Sequence, residues 1–192
     1  AGGDVSGDAT EKGLLGEANV LTHEAFTNVA LGKAYNLNAQ TPDSAPTAGA
    51  MNNGVKQRFN TINLNGSAIH EDCASEQGNG LTTFSEIATG EGKAVGVVST
   101  ARITHATPAA VYAKTANRDW EGEAAEGCTD IASQLLEAMQ AGTIDFAMGG
   151  GRRFFLPSDV TDEEGKGGKR KDGKNLVQAA KDAGMQYAWN TE

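Results

Sequence analysis

Residues 93–99, Lys-Ala-Val-Gly-Val-Val-Ser, constrain the fold more tightly than any other stretch of the chain. A short valine-rich run bounded by Gly92 and a polar exit predicts a buried strand. Residues 144–148 predict a second short strand, ended by Gly149-Gly150-Gly151. Between them, residues 130–139 place Ile131, Leu135, Leu136 and Met139 on one helical face. Further helices are expected over 44–54, 81–88, 108–114 and 175–183, and further strands over 26–35 and 185–189. Short apolar strands alternating with amphipathic helices argue for α/β layering around a mainly parallel sheet.

Length and charge narrow the class. A chain of 192 residues fits one domain or a large piece of a bigger one, with residues 1–22 read as loop or frayed terminus. The formal net charge of −9, from 16 basic and 25 acidic residues, argues against a nucleic-acid-binding surface. The one basic cluster, residues 166–174, falls in a Gly-rich segment and reads as part of an exposed, solvated loop over 163–174. No apolar run approaches the length of a transmembrane segment, and no signal-peptide core stands at the start. Cys73 and Cys128 are the only cysteines, either two unpaired thiols or one bridge.

Three pieces carry chemistry. In Thr41-Pro42-Asp43-Ser44-Ala45, Ser44 stands at a helix mouth, where free N–H groups and the helix dipole favour both an alkoxide and a phosphate. The ordinary alternative is an Asp/Ser N-cap. His105 and Thr107, in Thr104-His105-Ala106-Thr107-Pro108, follow the valine-rich strand, where α/β proteins gather ligands, and their nitrogen and hydroxyl suit a cation. Their ordinary alternative is a loop histidine and a helix-capping threonine. Arg118, in Asn117-Arg118-Asp119-Trp120, offers a fork matched to two phosphate oxygens, and Asp43 could hold that fork in place. A surface ion pair with Asp119 or Glu121 is its alternative. Gly149-Gly150-Gly151-Arg152-Arg153 lacks a P-loop pattern and reads as a strand-ending turn.

In order and separation these pieces resemble the alkaline phosphatases. The resemblance runs from about Phe26 onward through Pro42-Asp43-Ser44-Ala45, Gly54-Val55-Lys56 and Val95-Gly96-Val97-Val98-Ser99-Thr100. It continues through His105-Ala106-Thr107-Pro108, Asn117-Arg118-Asp119-Trp120, Gly127-Cys128, Asp130-Ile131-Ala132 and Gly149-Gly150-Gly151-Arg152. It implies a three-layer α/β/α fold with a mainly parallel central sheet, here incomplete. It implies phosphomonoester hydrolysis through a phosphoserine, with Ser44 as nucleophile and zinc ligand, Arg118 binding phosphate, Asp43 positioning Arg118, and His105 with Thr107 on magnesium. Two zinc ions, one magnesium ion, phosphomonoester substrates, inorganic phosphate, a homodimer when complete, and a periplasmic or extracellular setting come with the resemblance. So does a Cys73–Cys128 disulfide, which animal-type members resemble this chain in carrying.

The departures shape a further expectation. The family's N-terminal Asp-Gly metal-binding strand, its later Asp-His pair and further histidines, and its magnesium-site glutamate find no match; His23 and His70 fit none of these motifs. The chain therefore reads as an internal fragment, lacking the C-terminal half and not turning over by itself. The rival readings are a non-catalytic phosphate-binding module and a superfamily relative acting on phosphodiesters or sulfate esters.

Overall fold

The computed structural model describes residues 25–30 and 32–190. The chain divides into two compact units, Ala1–Lys33 and Ala34–Glu192, and the complete helices and strands described here all lie in the second. The loop expected at residues 1–22 and His23 fall outside the described residues.

The valine-rich run becomes β1 (Gly96–Arg102), three residues further along than the apolar pattern alone suggests. It pairs in parallel with β2 (Phe146–Gly150), Gly96 opposite Phe146 and Val98 opposite Met148, with an irregularity before Arg102 meets Gly150. Alternation sends Val97 into the core and Val98 outward, 69 % exposed, beside the half-exposed Phe146 and Met148. The expected buried strand is thus buried on one face only.

Helix α1 (Ser44–Asn53) matches the expected span, because both of its ends are written locally. Asp43 is the N-cap and its carboxylate accepts from Ala45 N, while Gly54 closes the helix in the left-handed region and its N–H donates to Ala50 O. Helix α2 (Phe84–Gly90) starts three residues later than the amphipathic pattern, at a capping box between Thr83 and Glu86. Its apolar Phe84 and Ile87 remain exposed. Helix α3 (Ala106–Ala109) begins two residues before Pro108 and lasts a single turn. Past Ala109 the bonding tightens, Val111 N and Tyr112 N donating three residues back to Pro108 O and Ala109 O, and the buried Asn63 Nδ2 donates to Ala110 O at 2.7 Å and Ala113 O at 2.8 Å. Helices α4 (Ile131–Gln140) and α5 (Leu176–Asp182) are N-capped by Asp130 and Asn175, close to expectation.

Two expected strands do not form among the described residues of 26–35 and 185–189. Phe26, Val29 and Tyr35 stay more than half exposed, and an apolar run with no partner strand has nothing to satisfy its backbone. In the second stretch, Tyr187 and Trp189 serve Arg152, through a 3.3 Å hydrogen bond and a ring contact at 5.3 Å.

The main core gathers Ala45, Ala48, Ile62, Val97, Ile103, Ala106, Ala109, Tyr112, Ile131, Leu135 and Ile144. Its many alanines let α1 and α3 pack against each other with their backbones close, so the N-termini of both helices are fixed relative to β1.

The basic loop needs a correction. Arg170 is not solvated but 1 % exposed, with its guanidinium on Asp130 at 2.9 and 3.0 Å and on Asp172 at 3.0 and 2.6 Å. A buried guanidinium needs this many acceptors, and the Asp that caps α4 supplies two of them. Sequence composition cannot reveal that, because Asp130 lies 40 residues away. Cys73 and Cys128 form a disulfide with Cα atoms 5.5 Å apart.

Candidate active site

Ser44 is the first residue of α1 and is half-buried, so its hydroxyl lies at the positive end of a ten-residue helix. Arg118, 74 residues away, brings Nη1 within 2.7 Å of Ser44 Oγ and also donates from Nη1 to Asp43 Oδ1. Nη2 lies 3.0 Å from His105 Nε2. Because a guanidinium only donates, that ring nitrogen accepts, and the neutral imidazole carries its proton on Nδ1. Asp43, Ser44, His105 and Arg118 therefore meet at one point, built from the start of α1, the start of α3 and the turn at 117–121.

The clamp has a joint that sequence reading overlooked. Asn60 adopts a left-handed backbone with φ of 65°. Its N–H donates to Asp43 Oδ2 at 3.3 Å, and its carbonyl accepts from Arg118 N at 2.9 Å. Both halves of the Asp43–Arg118 pair hang on that residue. Asparagine tolerates this conformation better than most residues, which is the one local signal that could have flagged it. The surface-pair alternative for Arg118 holds only loosely, as a 4.0 Å pair between Nε and the carboxylate of Asp119, whose side chain is 78 % exposed, while Glu121 is engaged elsewhere.

His105 N-caps α3 without a side-chain capping bond, and Thr107 lies exposed in the helix's first turn, so Thr107 is not the cap. Burial holds the imidazole below its ordinary range, reinforced by the charges of Arg118 and Arg102, so His105 is neutral at pH 7. Its Nδ1 is buried and has no hydrogen-bond partner. The Nε2 lone pair of a neutral imidazole, the Thr107 hydroxyl two residues further on and Ser44 Oγ are donor types that fit as part of a divalent-cation set. They do not complete one. Among the described residues, only Cys73, Glu76 and Cys128 bring three such ligand atoms within 4.8 Å, and the two sulfurs are joined in the disulfide. His70 is exposed, with Nε2 3.4 Å from Asn60 Nδ2.

The family model for alkaline phosphatase matches residues 7–192. The chain belongs to the alkaline phosphatase family. Among its curated relatives is the alkaline phosphatase, tissue-nonspecific isozyme, of Gallus gallus, 44% identical over 192 residues that cover 91% of this chain and 37% of the relative. The alkaline phosphatase of Gadus morhua is 41% identical, over 93% of this chain and 40% of its own length. Among solved structures, alkaline phosphatase from the Antarctic bacterium TAB5 superimposes with a TM-score of 0.62 at 26% identity, over 92% of this chain and 42% of that one. A mutant of the TAB5 enzyme described as having Mg bound in the M3 site shares the fold, at 24% identity and a TM-score of 0.63, over 95% of this chain and 43% of that one. The chain thus spans about two fifths of the family members it matches. The small parallel sheet with its flanking helices agrees with an incomplete alkaline-phosphatase-like α/β fold. No helix among the described residues is long and apolar enough to cross a membrane.

Proposed function

We propose that this chain carries the nucleophile and phosphate clamp of a phosphomonoester hydrolase. The observation that carries the reading is the meeting of Arg118 Nη1 with Ser44 Oγ at 2.7 Å while Asp43 holds the same guanidinium. Ser44 Oγ attacks phosphorus from the N-terminus of α1, forming a phosphoserine as the alcohol departs, and water then releases inorganic phosphate. The guanidinium of Arg118, kept aligned by Asp43, binds phosphoryl oxygens and stabilises the charge on them in the transition state. Ser44 and the neutral His105 with Thr107 would hold part of the zinc and magnesium complement, metals that supply Lewis-acid stabilisation and lower the pKa of a bound oxygen. The sequence offers no Asp-His pair and no further histidine in a matching motif, so the 192 residues alone would not turn over. The disulfide favours an oxidising compartment, periplasmic or extracellular, and the complete enzyme would be a homodimer.

The test is to quench the full-length protein during turnover of a phosphomonoester and map the covalent phosphate. Phosphoserine is expected at Ser44 and absent from S44A. Arg118→Ala should weaken inorganic phosphate by roughly 10- to 150-fold, the equivalent of about 1.5–3 kcal/mol for a charge-assisted contact. Phosphate trapped on another residue overturns the assignment. Phosphate binding without metal dependence or phosphoenzyme would identify a binding module instead.

A further inference from the structure

Building on Arg118 as the phosphate clamp, we infer that Glu121 is a positioning residue that locks the Arg118 turn to the His105 loop and thereby sets the affinity of the site for phosphate. Glu121 is only 7 % exposed, an unusual place for a carboxylate. Its oxygens are filled from the opposite side of the site. Arg102 Nε reaches them at 3.1 and 2.9 Å, Arg102 Nη2 reaches Oε1 at 2.8 Å, and Thr104 Oγ1 donates to Oε2 at 2.6 Å. Arg102 ends β1, and Thr104 immediately precedes His105. Glu121 itself lies three residues beyond Arg118.

The backbone around Glu121 is anchored independently. Ile131 N donates to Trp120 O at 2.8 Å and Ala132 N to Glu121 O at 3.0 Å, fixing the turn against the first residues of α4. One carboxylate therefore joins an anchored turn carrying the clamp to a strand end carrying the histidine. The alternative link across the gap is the Arg118–His105 contact, which a bound phosphate must share. An ion pair between a buried carboxylate and a guanidinium that is 40 % exposed is a weak source of stability. Its directional bonds do fix geometry, and a misplacement of about 1 Å at a site of this kind can cost on the order of a hundredfold.

Two substitutions in the full-length protein separate positioning from mere stability. Glu121→Gln places an amide against donors that need an acceptor. Thr104→Val is nearly isosteric, keeps the ion pair, and removes only the link to the His105 loop, so it serves if the first variant does not fold. The inhibition constant for inorganic phosphate should rise about tenfold in E121Q and several-fold in T104V, with kcat/KM for the phosphomonoester falling alongside. Thr104→Ser, which keeps the hydroxyl, should return the wild-type constant. Inhibition constants within about twofold of wild type in folded E121Q and T104V, or a T104S as weak as T104V, overturn the role of Glu121. A wild-type protein with no phosphoserine at Ser44 overturns the catalytic reading and this role with it. A wild-type phosphoserine alongside unmoved constants overturns the role alone.

Discussion

Replacing Arg170 with methionine removes the most buried charged side chain among the described residues while keeping similar length and packing. The guanidinium leaves behind Asp130, whose side chain is 10 % exposed, and Asp172, at 37 %. Breaking a buried pair by deleting one partner costs about 3–5 kcal/mol, chiefly because the remaining charge is stranded. The lower end applies here, since Asp130 keeps Ser133 N at 3.0 Å and Ser133 Oγ at 2.7 Å, and Asp172 reaches water. A loss of about 3 kcal/mol in a chain of this size lowers Tm by roughly 6–12 °C. The effect should be read by thermal and urea unfolding followed by far-UV circular dichroism at pH 7.

The double variant Arg170→Met, Asp130→Ser removes the stranded charge while keeping a helix-capping oxygen, and should recover to within about 1 kcal/mol of wild type. A single variant losing less than about 1 kcal/mol, or a double variant no more stable than the single, would refute the reasoning. Acid sensitivity gives an independent reading. The hydrogen bond from Arg170 holds the Asp172 carboxyl below the ordinary carboxylate range. Its contribution is complete above about pH 3.9, the unfolded value, and is lost as pH falls through the lower folded value. In R170M the largest cause of that depression is gone, and with it the share of the acid-side stability that Arg170 supplies, while the hydrogen bond from Lys174 N remains.

Two other perturbations follow from close contacts. Gly49→Ala would set a methyl 2.4–2.8 Å from the amide end of the Gln57 side chain, which is fully buried and would have to shift within the packed interior. Overpacking of about 1–3 kcal/mol outweighs the roughly 0.5–1 kcal/mol helix gain of alanine, so urea melts should show a net loss; a gain would refute the packing. Reducing Cys73–Cys128 opens a separation of 55 residues, and the chain-entropy model gives a loss of about 4 kcal/mol, measured by melts with and without reductant. An unchanged Tm after verified reduction would count against it.

The ends of α1 and the existence of both β-strands were legible because their determinants are local. An Asp-Ser pair, an early proline, a closing glycine and a valine run act within a few residues of where they stand. Three of the four residues that meet at the site sit in motifs just as local, at the mouth of α1 and the end of β1. Their convergence was decided elsewhere. Arg118 reaches Ser44 across 74 residues because Asn60 turns left-handed and holds both partners, and no periodicity in the sequence records that. The same limit explains the miscast Arg170 and the unread role of Asn63, which captures carbonyls 47 and 50 residues away. Glu121, too, looks like a surface charge until Arg102 and Thr104 close around it. Backbone propensity and capping are properties of neighbours in the chain. The partners of a buried polar group are properties of neighbours in space, and only the packed structure supplies them.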